Sequence, residues 1–141
     1  MKNIIPKFVY HGSVTPDIKM FEPRKRYTPG EFSENEINEA IYAGDDPAYC
    51  AAHAFPWGSE EGFNLFYEND KVVLEVPEKY KDSLNQKVYI YKLPSSAFKL
   101  LDIEPKGHNF WSKEKVKPIG IQKFNSVTEA IKTLGGKIRI I

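Results

Sequence analysis

Phe8-Val9-Tyr10-His11-Gly12-Ser13 is the stretch that organises the chain, an apolar and aromatic run ending in a histidine beside a glycine. Aromatic and β-branched side chains suit a central strand, and a glycine at its end lets a ligand or another backbone come close. An imidazole there offers one donor and one acceptor, and the Gly12 backbone can pair with an amide. By themselves these letters favour a satisfied structural pair over a site.

A second stretch, Glu39 to His53, repeats the arrangement with a tyrosine. Ala40-Ile41-Tyr42-Ala43 predicts a strand ended by Gly44. Asp45 or Asp46 then caps a helix whose first residue is Pro47 and which runs to about Ala54. Its Cys50 and Ala51 side is expected against the sheet. The strands of His11 and Tyr42 are expected to be neighbours, with both rings facing one cleft.

The 141 residues suit a single domain spanning 1–141, long enough to bury roughly two thirds of its unfolded surface. Twenty basic and 19 acidic residues are interspersed for a net charge of +1. No field of one sign argues for duplex nucleic acid or an anionic membrane as partner. The single cysteine, Cys50, excludes a disulfide within the chain and fits a reducing compartment, so a cytoplasmic location is expected. No run reads as a signal peptide or a membrane span, and there is no internal repeat.

Ser13 to Tyr27 reads as irregular chain. With Pro29-Gly30 and Ser33-Glu-Asn-Glu36 it makes a long loop suited to a lid or a binding loop, the competing reading being a short helix from Glu34 to Ala40. Phe63–Tyr67 and Val72–Val76 flank Glu68-Asn-Asp-Lys71 as a hairpin. Lys87–Leu93 is the clearest strand, with weaker strands over Phe98–Ile103 and Val116–Phe124. Ser126-Val-Thr-Glu129 spells a capping box for a helix through Leu134 that Gly135 ends, before a last strand from Lys137 to Ile141. About seven strands and two helices in this order predict an α+β fold.

Tyr10-His-Gly-Ser13, Ile41-Tyr-Ala43 followed by a helix with Tyr49-Cys50, Val88-Tyr-Ile-Tyr-Lys-Leu-Pro94 and Trp111-Ser-Lys-Glu-Lys-Val-Lys-Pro-Ile119 come in an order and spacing that resemble the ADP-ribosyltransferase superfamily. Within it the chain is most similar to small bacterial and phage members of the His-Tyr branch, which includes poly(ADP-ribose) polymerases and diphtheria-type toxins. The resemblance covers roughly Phe8 to the C-terminus. It implies a split, antiparallel or mixed β-sheet core with few helices, holding NAD as a substrate in the cleft between its halves.

On that resemblance His11 holds the nicotinamide ribose and the Gly12 backbone pairs with the carboxamide. Tyr42 stacks on the nicotinamide, Tyr49 is a second stacking ring, and Ser13 lies at the same NAD site. Mono-ADP-ribosyl transfer to a protein acceptor, or NAD hydrolysis, is the implied activity. The catalytic set would be His11, Tyr42 and a third position that active members fill with glutamate. Aligning Val116 with the family's valine puts Asn109 or Phe110 there, and neither supplies a carboxylate. The alternative is therefore a catalytically silent nucleotide- or partner-binding module on the same fold. RNA 2′-phosphate transfer to NAD would want several arginines lining the cleft, whereas the chain has only Arg24, Arg26 and Arg139.

Other residues carry bland readings beside sharp ones. Arg24, Lys25 and Arg26 could hold a pyrophosphate, Arg24 first, but a solvated charge run is the commoner outcome. Cys50-x-x-His53 is half of a zinc pattern with no second half, so no metal is expected. Trp57 and Trp111 read as packing residues, Asp45-Asp46 as a helix cap, and Glu104 and Glu114 as solvated charges.

Overall fold

A computed structural model describes residues 6–25, 39–54, 62–101 and 107–141. In chain order it holds β1 (Phe8–Ser13), β2 (Arg24–Lys25), β3 (Glu39–Gly44), α1 (Pro47–Ala54), β4 (Asn64–Glu68), β5 (Lys71–Val76) and β6 (Val88–Pro94). There follow β7 (Lys99–Leu100), β8 (Asn109–Ser112), β9 (Gly120–Phe124), α2 (Val127–Thr133) and β10 (Lys137–Ile140). Short 3-10 segments cover Glu78–Asn85 and Ser95–Ala97. The fold is mixed α+β with two sheets. The larger runs β7-β8-β3-β1-β6-β9, with β2 on β3, and the smaller runs β10-β5-β4. Among the described residues every pairing is antiparallel except β10 with β5.

Strand β1 sits near the middle because it is apolar on both faces. Val9 faces a core of Phe21, Ile41, Ala43, Tyr91, Leu93, Phe98, Phe110 and Val116. Tyr10, pointing the other way, packs on a core that draws Ala51 and Ala52 from α1, Leu74 and Val76 from β5, Val88 and Ile90 from β6, and Val127, Ala130 and Ile131 from α2. Each of the valine, leucine, isoleucine and phenylalanine side chains fully removed from water contributes about 1.5–3 kcal/mol. The second core is thus closed by α1, α2 and the smaller sheet, and the first by irregular chain.

That irregular chain is pinned by specific bonds. Phe21 and Val116 exchange backbone hydrogen bonds of 2.8 and 2.9 Å. The buried Tyr91 hydroxyl donates to the Thr15 carbonyl at 2.7 Å and accepts from the Ile18 amide at 3.1 Å. Tyr91→Phe is expected to lower stability by about 1–2 kcal/mol and to speed protease cleavage within residues 14–20. A urea midpoint and cleavage rate equal to the parent's would show that the loop is held elsewhere.

Most expected elements form where their local chemistry demands. Asp46, rather than Asp45, caps α1, its Oδ1 accepting from the Ala48 amide at 3.0 Å. Asn69 and Asp70 both have positive φ, +52° and +65°, as a two-residue hairpin turn requires. At α2 the Ser126 hydroxyl accepts from the Glu129 amide, and the Glu129 carboxylate reaches back to the Asn125 amide at 2.7 Å. Gly135, at φ +99°, closes that helix with a Schellman pair, Gly135 N–H to Lys132 O and Gly136 N–H to Ile131 O.

Several expectations need correction. The strand predicted over Val116–Phe124 begins only at Gly120: Val116 is spent on Phe21, and Pro118 has no amide to give a ladder. The one over Phe98–Ile103 shrinks to Lys99–Leu100, with 102–103 outside the described residues. Strand β8 was not anticipated; its four residues are too short for a period to register. The suggested helix at Glu34–Ala40 is replaced at Glu39–Ala40 by strand β3, and the stretch from Ser13 to Tyr27 read as irregular carries β2 at Arg24–Lys25; residues 26–38, Arg26 among them, Trp57 and Glu104 lie outside the described residues. No described helix is long and apolar enough to cross a membrane.

Candidate functional site

Strands β1 and β3 are neighbours, but their ladder has a single recorded step, Tyr10 opposite Gly44. On its other side β1 pairs with β6 along its whole length, from Phe8 opposite Pro94 to Ser13 opposite Tyr89. Beyond Tyr10, therefore, β1 and β3 part. The His11 imidazole crosses the opening, its Nδ1–H donating to the Tyr42 carbonyl at 2.7 Å. A carbonyl can only accept, so Nδ1 carries a proton here. Phe21 meets the imidazole edge-on, centroids 5.0 Å apart.

The two rings do not share a face of the sheet. Val9 and His11 alternate with Tyr10 and Gly12, and Ile41 and Ala43 with Tyr42 and Gly44. Val9, Ile41 and Ala43 belong to the Phe21 side, as His11 does. Gly12 and Gly44 face α1, where a Cβ on either would meet Cys50. Tyr42 accordingly lies on the α1 side. The expected common face is therefore not found: His11 reaches the Tyr42 carbonyl from the Phe21 side where the β1–β3 ladder has stopped, and the Tyr42 ring lies on the α1 side.

The other residues singled out divide between this opening and the core. Gly12 serves packing first: a Cβ there would overlap the Cys50 carbonyl oxygen and stand 2.7 Å from its carbon. Ser13 closes a turn, its Oγ accepting from the Thr15 amide at 3.0 Å. Tyr49 is only 6% exposed and packs with Ala48 and Val72, its ring stacked on Tyr67 and met edge-on by His53. Asn109, 9% exposed, lies opposite Gly44 on β3. Trp111 lies opposite Tyr42, with the Lys99 ammonium 5.5 Å from its ring centre. Arg24 contributes backbone to β2, and its side chain lies outside the described residues. Glu114 is exposed, and among the described residues no three His, Cys, Asp or Glu side chains gather as a metal site.

A second constellation went unforeseen. The Asp45 carboxylate accepts from His108 Nδ1–H at 2.9 Å, while the Asp45 amide donates to the His108 carbonyl at 3.3 Å. Tyr67 stacks on His108, centroids 4.7 Å apart and planes 25° from parallel, and its hydroxyl donates to Asp46 Oδ2 at 2.9 Å. Burial, then the charge of Asp46, pushes the Tyr67 phenol far above its ordinary pKa, so it stays a donor. The two aspartates read as one cap thus divide, Asp46 capping α1 and Asp45 holding His108. Gly107, just before His108, adopts φ +85°, and nothing in the sequence around Asp45 or His108 pointed to the other.

Residues 10–141 match a family described as a family of unknown function (DUF6886). The chain belongs to that family. His11, Gly12, Tyr42, Tyr49, His108 and Asn109 all fall inside the matched part of this DUF6886 chain, so both constellations are carried by family sequence. No curated protein and no solved structure matches the chain.

Proposed function

We propose that this DUF6886 chain binds NAD in the opening between β1 and β3 and acts on it as an ADP-ribosyltransferase-like protein, by mono-ADP-ribosyl transfer to a protein acceptor or by NAD hydrolysis. The observation that carries this reading is the parting of the two strands after Tyr10 and Gly44, with the His11 imidazole bridging to the Tyr42 carbonyl. A strand end whose ladder stops beside a glycine leaves main-chain edge for an amide. The His11 imidazole beside it is the group for a ribose hydroxyl. Tyr42, on the α1 side of the opening, is the ring for the nicotinamide.

Cleaving the nicotinamide–ribose bond builds positive charge on the sugar, so catalysis is mostly positioning and electrostatic stabilisation. Asn109 brings no carboxylate to that charge. Turnover is then expected to be on the order of a hundredfold or more slower than with one. The single buried cysteine fits work in the cytoplasm.

The silent module remains the second reading, favoured by the structural duties of Gly12 under α1 and of Asn109 within the sheet. Titrating the protein with NAD while following protein and ligand NMR signals separates the two. Weak to moderate binding, lost in His11→Ala with the fold intact, is the expected result. No shift at millimolar NAD would leave the partner-binding module as the better account.

A further inference from the structure

We propose that the outer edge of β9 is a docking strand for an extended, acidic segment of a partner protein, which adds itself to the larger sheet through backbone hydrogen bonds. Residues of the β1–β3 opening take no part in it, so NAD binding and this docking stand or fall separately.

Strand β9 ends the larger sheet. Its inner flank pairs with β6, from Gly120 opposite Lys92 to Phe124 opposite Val88, and among the described residues no strand pairs with its outer flank. Every second residue of such an edge turns its amide and carbonyl outward, a row of hydrogen-bonding groups that an added strand can use. Ile121, Gln122 and Lys123 point to alternate faces of the sheet, and all three are exposed, so neither face of the edge is covered. The other sheet ends offer less. Strand β7 has two residues, Asn64 alone is exposed on β4, and β10 is exposed only at Lys137 and Ile140.

Charge selects the occupant. Lys123 and the exposed Lys87 stand at the end of the β6–β9 pairing where Val88 meets Phe124, and Lys92 stands at the other end. Gly120, opposite Lys92, puts no side chain between that lysine and the edge; a Cβ there would lie 3.6 Å from Lys92 Cβ. None of these three lysines has a carboxylate partner among the described residues, and the Lys92 ammonium rests 3.9 Å from the centre of the Phe8 ring instead. Glu129, on the helix after β9, turns its carboxylate to the Asn125 amide. The smaller sheet differs, since its Arg139 is held by Glu68 and Glu75. In a chain of 20 basic and 19 acidic residues, the unmatched charge at β9 is therefore local.

A second copy of the chain fits this edge poorly, because pairing β9 with itself would bring two sets of lysines together. A strand carrying carboxylates meets them with the opposite charge. Ile119 and Ile121, 54% and 41% exposed, supply the apolar surface for its remaining side chains. The backbone then provides the attachment, and the lysines and isoleucines choose the sequence attached.

The probe is a nine-residue peptide, blocked at both ends, that alternates valine and glutamate. In an NMR titration of the full chain, the shifted amides are expected to cluster at residues 119–124. A peptide of the same sequence, N-methylated at every second residue on the side that faces β9, keeps its charge and side chains and should bind roughly tenfold more weakly or worse. Lys87→Glu with Lys123→Glu should weaken the glutamate peptide by about tenfold and make a valine–lysine peptide the better ligand. Melting within a few degrees of the parent keeps that variant comparable, and the N-methylated peptide tests the edge with no variant at all. Absence of shifts at several millimolar peptide, shifts centred elsewhere, or equal binding of the N-methylated peptide would overturn the proposal. Self-association of the parent, with shifts at 119–124 that depend on its own concentration, would also overturn it by giving the edge to a second copy.

Discussion

Gly12→Ala is expected to destabilise the protein by about 3 kcal/mol or more, at the upper end of what overpacking costs, which corresponds to roughly 10 °C in Tm at this chain length. The added Cβ would collide with the Cys50 carbonyl, with Ala51 N 3.3 Å away. All three atoms are helix backbone, so no side chain can rotate aside; α1 must lift off β1, and the Ala51 and Ala52 contacts go with it. Gly107→Ala is the informative comparison. Nothing lies within 4 Å of its Cβ, so only the left-handed backbone at φ +85° resists, at about 1–2 kcal/mol. Calorimetry of both variants measures the contrast. A Gly12→Ala protein that melts like Gly107→Ala would mean that α1 does not rest on the strand.

Cys50→Asp should cost a similar amount, about 3–5 kcal/mol, because it leaves a buried charge without a partner. Cys50 is 4% exposed, and its thiol donates to the Tyr10 carbonyl at 3.1 Å. Burial first, and then the nearby Asp46, already push the thiol pKa well upward, so the site resists negative charge. An aspartate there would be held protonated to a higher pH in the folded than in the unfolded state. The deficit should therefore be largest at neutral pH and shrink as pH falls toward the ordinary aspartate range. Urea unfolding at pH 7 and pH 5 checks the sign, with Cys50→Ala as the uncharged control. A deficit that is equal at both pH values would point to lost packing rather than charge.

Where a residue's role is settled by its immediate neighbours in the chain, it could be read beforehand. Asp46-Pro47 opens α1, Asn69-Asp70 turns the hairpin and Ser126 with Glu129 starts α2, since caps and turns are local chemistry. The alternation that separates His11 from Tyr42 was equally present in the letters. Its consequence was not, because which residue of β1 lies opposite Gly44 is a matter of register, set by packing with α1. The Asp45–His108 pair joins residues far apart in sequence, and nothing in either neighbourhood announces the other. Tyr49 misled in the opposite way: its surroundings resemble a ligand-stacking motif, yet its ring is taken up by Tyr67 and His53.

The parallel pairing of β10 with β5, Lys137 beside Val73 through Ile140 beside Val76, carries a consequence for how the chain is made. The β4–β5 hairpin can close as soon as Lys71–Val76 has left the ribosome, but one flank of β5 then waits for nearly all the remaining chain. Val73, Leu74 and Val76 are apolar residues along that flank. During the wait they form a bare strand edge that another nascent chain could pair with. Yield at high expression is thus expected to depend on how quickly β10 arrives, and slowed translation between residues 77 and 136 should favour aggregates over folded protein.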